Sequence, residues 1–230
     1  MADGTHWEWR AFGEVSNAMI IQLSALDKHY GRDDIGLAHT DEYLWSRDCV
    51  ANVKLRENSL KFKRLLRTDG GFELWTEERS EAFEFPLSEQ AIGFLGQQMA
   101  VQVPPDATIW AQSQRELVRT LETFEPRVHL VSIRKFRVQY DLPLDDETLI
   151  IELAEIHQPN HIWSVSIEGE DVRKPATGTI DEERSRRSLA NLQDVKARLQ
   201  LATFTLDHNY LQMLERWCDG RLSRNSANTP

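Results

Sequence analysis

Hydrophobic and polar positions alternate in short runs through the first third of the chain. Trp7–Ala11, Asp41–Trp45, Val50–Arg56, Leu60–Leu66, Phe72–Thr76 and Glu81–Phe85 either alternate or are rich in β-branched and aromatic residues, the pattern of half-buried strands. Asn58-Ser59 and Asp69-Gly70-Gly71 separate pairs of these runs and have turn chemistry. Between the first two runs, Met19, Ile20, Leu23, Leu26 and Tyr30 recur at helical spacing. Ser16 is placed to cap that helix and Gly31 to stop it.

The middle of the chain changes period. A helix is predicted from Ser88 through Met99, with Pro104-Pro105 closing the region, and a second over Gln112–Glu122 with Leu117, Val118 and Leu121 on one side. Val128–Tyr140, Thr148–Ala154 and Trp163–Ile167 return to strand character, with Pro143–Glu147 as a turn. A capping box then follows, Thr179 as N-cap and Glu182 three residues on. Leu189, Leu192, Val195, Leu199, Ala202, Leu206, Tyr210, Met213 and Trp217 continue at three- or four-residue steps to Gly220. This predicts one long helix over 180–219, or two with a break near His208-Asn209. Such a stripe serves core packing or a dimer contact. The whole is expected to be one domain over 1–222, with a disordered tail at 223–230.

Composition changes little in this picture, but charge changes more. Of 230 residues, 40% are hydrophobic and 28% charged, as in ordinary globular proteins. No run approaches a membrane span, so a soluble protein is expected and no membrane partner. Cys49 and Cys218 form no framework or metal spacing and read as reduced thiols of a cytoplasmic protein. A net charge of −10 argues against general nucleic-acid binding. Yet 52–67 holds six basic residues and Glu57, a sum of +5, and 127–139 holds four basic residues and no acid, +4. The remainder therefore carries −10 − 5 − 4 = −19.

Lys54 and Arg56 are two apart and share a strand face, as do Lys61 and Lys63, and Lys135 and Arg137. Apolar Leu55, Phe62 and Phe136 lie between them. Charge alternation on one strand is ordinarily just a solvated sheet face. Three strands with the same pattern concentrate like charge at a cost that a multiply charged anion offsets, and phosphate oxygens suit both Arg and Lys. Glu8, Glu152 and Glu168, with Glu73, Glu77 and Glu84, are acids on or beside strands. Carboxylates facing a phosphate site could hold Mg2+ or Mn2+. No phosphate-loop, nucleophile-elbow or zinc-protease motif is present. His157 and His161 are four apart, but Pro159-Asn160 between them argues for a loop rather than a helix face.

The order of these motifs resembles that of the CYTH superfamily, the triphosphate tunnel metalloenzymes. The chain has Glu8 and Arg10 on the opening strand, Asp41-Glu42-Tyr43, Lys54-Leu55-Arg56, Lys61-Phe62-Lys63, a helical section to Glu122, Arg134-Lys135-Phe136-Arg137, then Glu152 and Glu168 on late strands. The resemblance covers roughly 7 to 170. It implies an α+β fold, an eight-stranded antiparallel β-barrel with flanking helices and a long C-terminal helix. It implies phosphate binding by Lys54, Arg56, Lys61, Lys63, Lys135 and Arg137 with Arg10 assisting, and Mg2+ or Mn2+ on Glu8, Glu152 and Glu168. The implied ligand is tripolyphosphate or a nucleoside triphosphate, hydrolysed with the metal. The departures are His6 and Ser166, each standing where the family has an acid. The alternatives are an inactive nucleotide- or polyphosphate-binding module, and a protein that dimerises or docks through its C-terminal helix.

Overall fold

A computed structural model describes residues 4–28, 38–77, 79–104, 111–201 and 204–220. The expected tail at 223–230, and Tyr30 and Gly31 at the end of the first predicted helix, lie outside the described residues. Ten strands and five helices are assigned among the described residues. In chain order they are β1 (Gly4–Gly13), α1 (Asn17–Ser24), β2 (Asp27–Lys28), β3 (His39–Trp45), β4 (Ala51–Arg56), β5 (Ser59–Asp69) and β6 (Phe72–Glu77). Then come β7 (Phe83–Glu84), α2 (Glu89–Met99), α3 (Gln114–Phe124), β8 (His129–Pro143), β9 (Thr148–Gln158), β10 (Ile162–Glu168), α4 (Glu182–Arg198) and α5 (Tyr210–Cys218).

Backbone pairing runs β8-β3-β4-β5-β6-β1-β10-β9, and β9 pairs again with β8. The sheet thus closes as an eight-stranded antiparallel barrel with helices attached, an α+β fold. The two-residue strands β2 and β7 pair with β8 and β5. Closure leaves no long strand edge in need of a partner. No helix among the described residues is long and apolar enough to cross a membrane.

The residues divide into two compact units, each with its own core. Unit 1 takes in the described residues of Met1–His39, Leu65–Thr76 and Arg134–Asn209. There Trp7, Trp9 and Ala11 of β1 pack with Phe72 and Leu74, Ile151 and Leu153, and Val165 and Ile167. Leu189, Leu192 and Val195 of α4 and Met19 and Leu23 of α1 join them. Trp7 Nε1 donates to Ser185 Oγ at 2.9 Å, which satisfies an indole N–H buried under α4. Unit 2 takes in the described residues of Thr40–Arg64, Glu77–Ile133 and Tyr210–Pro230. Its core joins Leu44, Val53, Leu55, Leu60 and Phe62 to α2 (Ala91, Ile92, Leu95, Met99) and α3 (Leu117, Leu121).

Several local features differ from the sequence expectation. The β4–β5 turn is Glu57-Asn58, one residue earlier than Asn58-Ser59. Both take positive φ, 51° and 59°, and Arg56 pairs with Ser59. That is the mirror-image turn whose twist matches a two-residue hairpin, and Asn tolerates it well. Gly70 and Gly71, φ 58° and 84°, turn β5 into β6 where a side chain would be strained. Of Glu81–Phe85 only Phe83–Glu84 is strand, because Arg79–Glu81 winds into a 3₁₀ turn. Ser16, Ser88 and Ser113 cap α1, α2 and α3, each hydroxyl accepting a backbone N–H three residues on.

The C-terminal stripe is two helices, the second of the two expectations, with the first helix ending at Arg198 and the second starting at Tyr210, just past His208-Asn209. Asp181, not Thr179, is the N-cap of α4, accepting from the Glu183 and Arg184 amides. Helix geometry ends at Arg198, because the backbone of Leu206 is drawn into mutual hydrogen bonds with Phe12 of β1 (2.8 and 3.0 Å). Helix α5 follows, with Tyr210, Met213 and Leu214 buried and Tyr210 stacked on Tyr43 at 5.5 Å. The stripe therefore packs into cores of its own chain.

This packing makes a direct prediction. Leu192 is fully buried against β-strand residues of unit 1, whereas Ile21 on α1 is 69% exposed. Leu192→Ala should cost about 2–5 kcal/mol in urea unfolding, and Ile21→Ala less than about 0.5 kcal/mol.

Candidate functional site

Alternation on a strand normally means one buried and one wet face. Here the charged face is as buried as the apolar one. On β1, Glu8 and Arg10 are 5% and 7% exposed, beside Trp7 and Trp9 at 2% and 1%. Lys135, Arg137, Gln139 and Glu152 are likewise buried. The reading of these charges as a solvated sheet face therefore fails: they have been taken out of water and must be matched locally.

In unit 1 the match is made across four strands. Register places Arg10 opposite Ser166, Ser166 opposite Glu152, and Glu152 opposite Gln139, a single row over β1, β10, β9 and β8. The next row places Glu8 opposite Glu168. Arg10 links both. Its Nε donates to Glu8 Oε1 at 2.9 Å, and Nη1 reaches Glu152 Oε1 at 3.4 Å and Ser164 Oγ at 3.1 Å. Its Nη2 lies 3.6 Å from Glu168 Oε1. Glu152 Oε2 accepts from Gln139 Nε2 at 3.0 Å and Arg137 Nη1 at 3.4 Å. Burial acts to raise the Glu152 pKa. The charges of Lys135, Arg10 and Arg137 act more strongly in the opposite sense, Glu8 works against them, and the pKa falls to about 2. Arg10, Lys135 and Arg137 carry +3 and Glu8, Glu152 and Glu168 carry −3, so the cluster is balanced. Ser166 Oγ, in the middle of the row, is buried with no hydrogen-bond partner among the described residues.

In unit 2 the corresponding face brings like charges together. Its row runs from Tyr43 of β3 to Lys54 of β4 to Lys61 of β5. Lys54 is buried, pairs with Asp41 Oδ1 at 2.5 Å and lies over the Tyr43 ring, 5.7 Å from its centroid. Lys61 and Lys63 are half-buried, and no acid among the described residues pairs with Lys61. Arg56 is half-buried and pairs with exposed Glu57 at 3.0 Å. On this face four cations, Lys54, Arg56, Lys61 and Lys63, stand on two adjacent strands, with Asp41 as the buried acid and Glu57 as an exposed one. Lys54 directly opposite Lys61 is a like-charge cross-strand pair, which costs stability by itself.

The candidate residues thus fall into two groups. Arg10, Lys135, Arg137, Glu8, Glu152 and Glu168 stand together in unit 1; Lys54, Arg56, Lys61 and Lys63 stand together in unit 2. Glu73 is tied up elsewhere, accepting from the indole of Trp75 at 3.1 Å and from Asn209. Sequence reasoning missed Gln139, Ser164 and the Asp41–Lys54 pair. Gln139 lies two residues beyond Arg137 and Ser164 two before Ser166, so strand alternation alone puts each on the face already singled out. Cys49 and Cys218 are unbridged. Burial raises both thiols, Cys218 to about 11, which disfavours a nucleophilic thiolate.

No known family model matches the chain, and no curated protein matches it. Solved structures do align over most of its length. One, titled a "putative adenylate cyclase" from Bacillus halodurans, is 14% identical with a TM-score of 0.41, covering 91% of this chain and 98% of its own. Another, a conserved hypothetical protein from Pyrococcus furiosus, is 14% identical with a TM-score of 0.44, covering 89% of this chain and 98% of its own. Likeness at that level says nothing about activity.

The Glu152 network carries a signed pH prediction. With its folded pKa near 2 and an ordinary value of 4.5, the ionised carboxylate stabilises the fold above about pH 4.5, and that contribution is lost as pH falls toward 2. Glu152→Gln should be less stable than the parent at pH 7, on the order of a few kcal/mol. Urea unfolding at successive pH values should show the gap shrinking between about pH 4.5 and pH 2.

Proposed function

We propose that the chain binds a phosphate-rich anion, a triphosphate or nucleoside triphosphate, on the face formed by Lys54 and Arg56 of β4 and Lys61 and Lys63 of β5. The observation that carries this reading is the like charge brought together there: Lys54 faces Lys61 in register, and no acid among the described residues pairs with Lys61. A polyphosphate supplies closely spaced negative oxygens that offset this repulsion. Arg56 offers a fork to two oxygens at once, and the lysines act as point charges. The order of motifs shared with the triphosphate tunnel enzymes points the same way.

Hydrolysis is the second reading, and it needs Mg2+ or Mn2+ on Glu8, Glu152 and Glu168. The geometry favours binding over hydrolysis. All three carboxylates already meet the Arg10 guanidinium, at 2.9, 3.4 and 3.6 Å. Their oxygens already face that cation, and Glu152 also serves Arg137 and Gln139. A small, strongly hydrated ion demanding octahedral oxygens is poorly served by carboxylates so engaged.

Thermal unfolding of the full chain with tripolyphosphate or ATP should show a rise in Tm that grows with ligand concentration. Lys61→Ala should leave the ligand-free protein as stable or more so, because it relieves the Lys54 repulsion, while weakening the ligand by about tenfold or more. Absence of any shift with both ligands would remove the binding proposal. Steady phosphate release with Mg2+ or Mn2+, abolished by Glu152→Gln, would instead establish the hydrolase reading.

A further inference from the structure

The β9–β10 hairpin carries a second cluster, on the opposite face of β9 from Glu152. Glu155 and His157 are two residues apart on β9 and so share a face. The register pairs Ile156 with Ile162 and Glu155 with Trp163. Continued by one residue, it sets His161 across from His157. The turn at Pro159-Asn160 that argues against helical His spacing is what brings the two imidazoles together. Their rings are 5.7 Å apart, and ligand atoms of Glu155, His157 and His161 all lie within 4.8 Å of one another. Glu155 accepts from or faces both rings, Oε1 at 2.9 Å from His161 Nε2 and Oε2 at 3.6 Å from His157 Nε2. Phe136 of β8 meets the His157 ring edge to face at 5.2 Å and limits its rotation.

We propose that Glu155, His157 and His161 form a binding site for a divalent transition-metal ion of the Zn2+ type. Two imidazoles and one carboxylate are a ligand set that Zn2+ accepts, with ligand bonds near 2 Å and ligand atoms therefore about 3.3 Å apart in a tetrahedron. The observed 4.8 Å span closes to that by small side-chain rotations at a partly exposed hairpin end. The same donors disfavour Mg2+ and Ca2+, which take oxygen ligands, and favour Zn2+, Ni2+ or Cu2+. Three protein ligands leave one position open to water or to an anion. Two neutral imidazoles and one carboxylate leave the bound ion a net +1, which favours an anionic fourth ligand. The site belongs wholly to unit 1 and shares no residue with the Arg10 network.

The test uses the full chain without a histidine tag. Titration with Zn2+ should show one equivalent bound and a rise in Tm, and Mg2+ should give neither. Co2+ as a spectroscopic probe should give visible d–d bands without a thiolate charge-transfer band. His157→Ala and His161→Ala should each weaken Zn2+ by about tenfold or more while leaving the metal-free Tm nearly unchanged, since both imidazoles lie at the surface. Equal Zn2+ affinity in parent and His157→Ala, or a thiolate band pointing to Cys49 or Cys218, would overturn the assignment. None of these outcomes bears on polyphosphate binding, so the two proposals stand or fall separately.

Discussion

Arg10 is the residue on which the charged part of unit 1 depends. A guanidinium 7% exposed has lost most of its water, and the strand that carries it has its other face committed to Trp7 and Trp9. Charge-bearing acceptors on its own strand and on the neighbouring ones replace that hydration. Glu8, Glu152 and Glu168 do so from three strands, and the register that places them also fixes which residues of β9 and β10 face the core. A slip of one residue would break the ion pairs and turn the apolar set outward together. The network thus specifies the pairing, whatever its net worth in stability.

The two units use the same local device and reach different electrostatic ends. In each, strands put hydrophobes against helices and charge on the reverse face. Around Arg10 of unit 1 three cations and three acids balance, and the Glu152 carboxyl is held near pKa 2 by its cationic neighbours despite its burial. In unit 2 four cations gather on β4 and β5, and Lys54 and Lys61 face each other across these strands. Balance suits a structural cross-brace; like charges set face to face suit the anion site proposed above. The hairpin cluster of Glu155, His157 and His161 is a third chemistry, made on the reverse face of the strand that bears Glu152.

Much of the architecture was legible because it rests on local rules. The strands followed from alternation, and the caps of α1 and α2 from serines before apolar periods. Errors came where a distant segment decided the local outcome. Thr179 and Glu182 match a capping box, but Asp181 holds the cap. Nothing in the stripe from Leu199 to Leu206 announces that the backbone of Leu206 will pair with Phe12, and that pairing divides the C-terminal helix. The placement of Gln139 and Ser164 on a named face was readable; their bonds to Glu152 and Arg10 were not.

The sequence by itself determined which residues share a strand face, since side chains alternate along any extended chain. It thereby determined that Lys54 keeps company with Arg56, and Glu8 with Arg10. Only the tertiary structure decided what those faces meet. Strand order and register are set by pairing between segments up to about 160 residues apart, for which a single chain carries no local signal. That is why three carboxylates readable as metal ligands converge on Arg10, why Lys54 and Lys61 stand opposed across β4 and β5, and why two histidines separated by a proline come together across a hairpin.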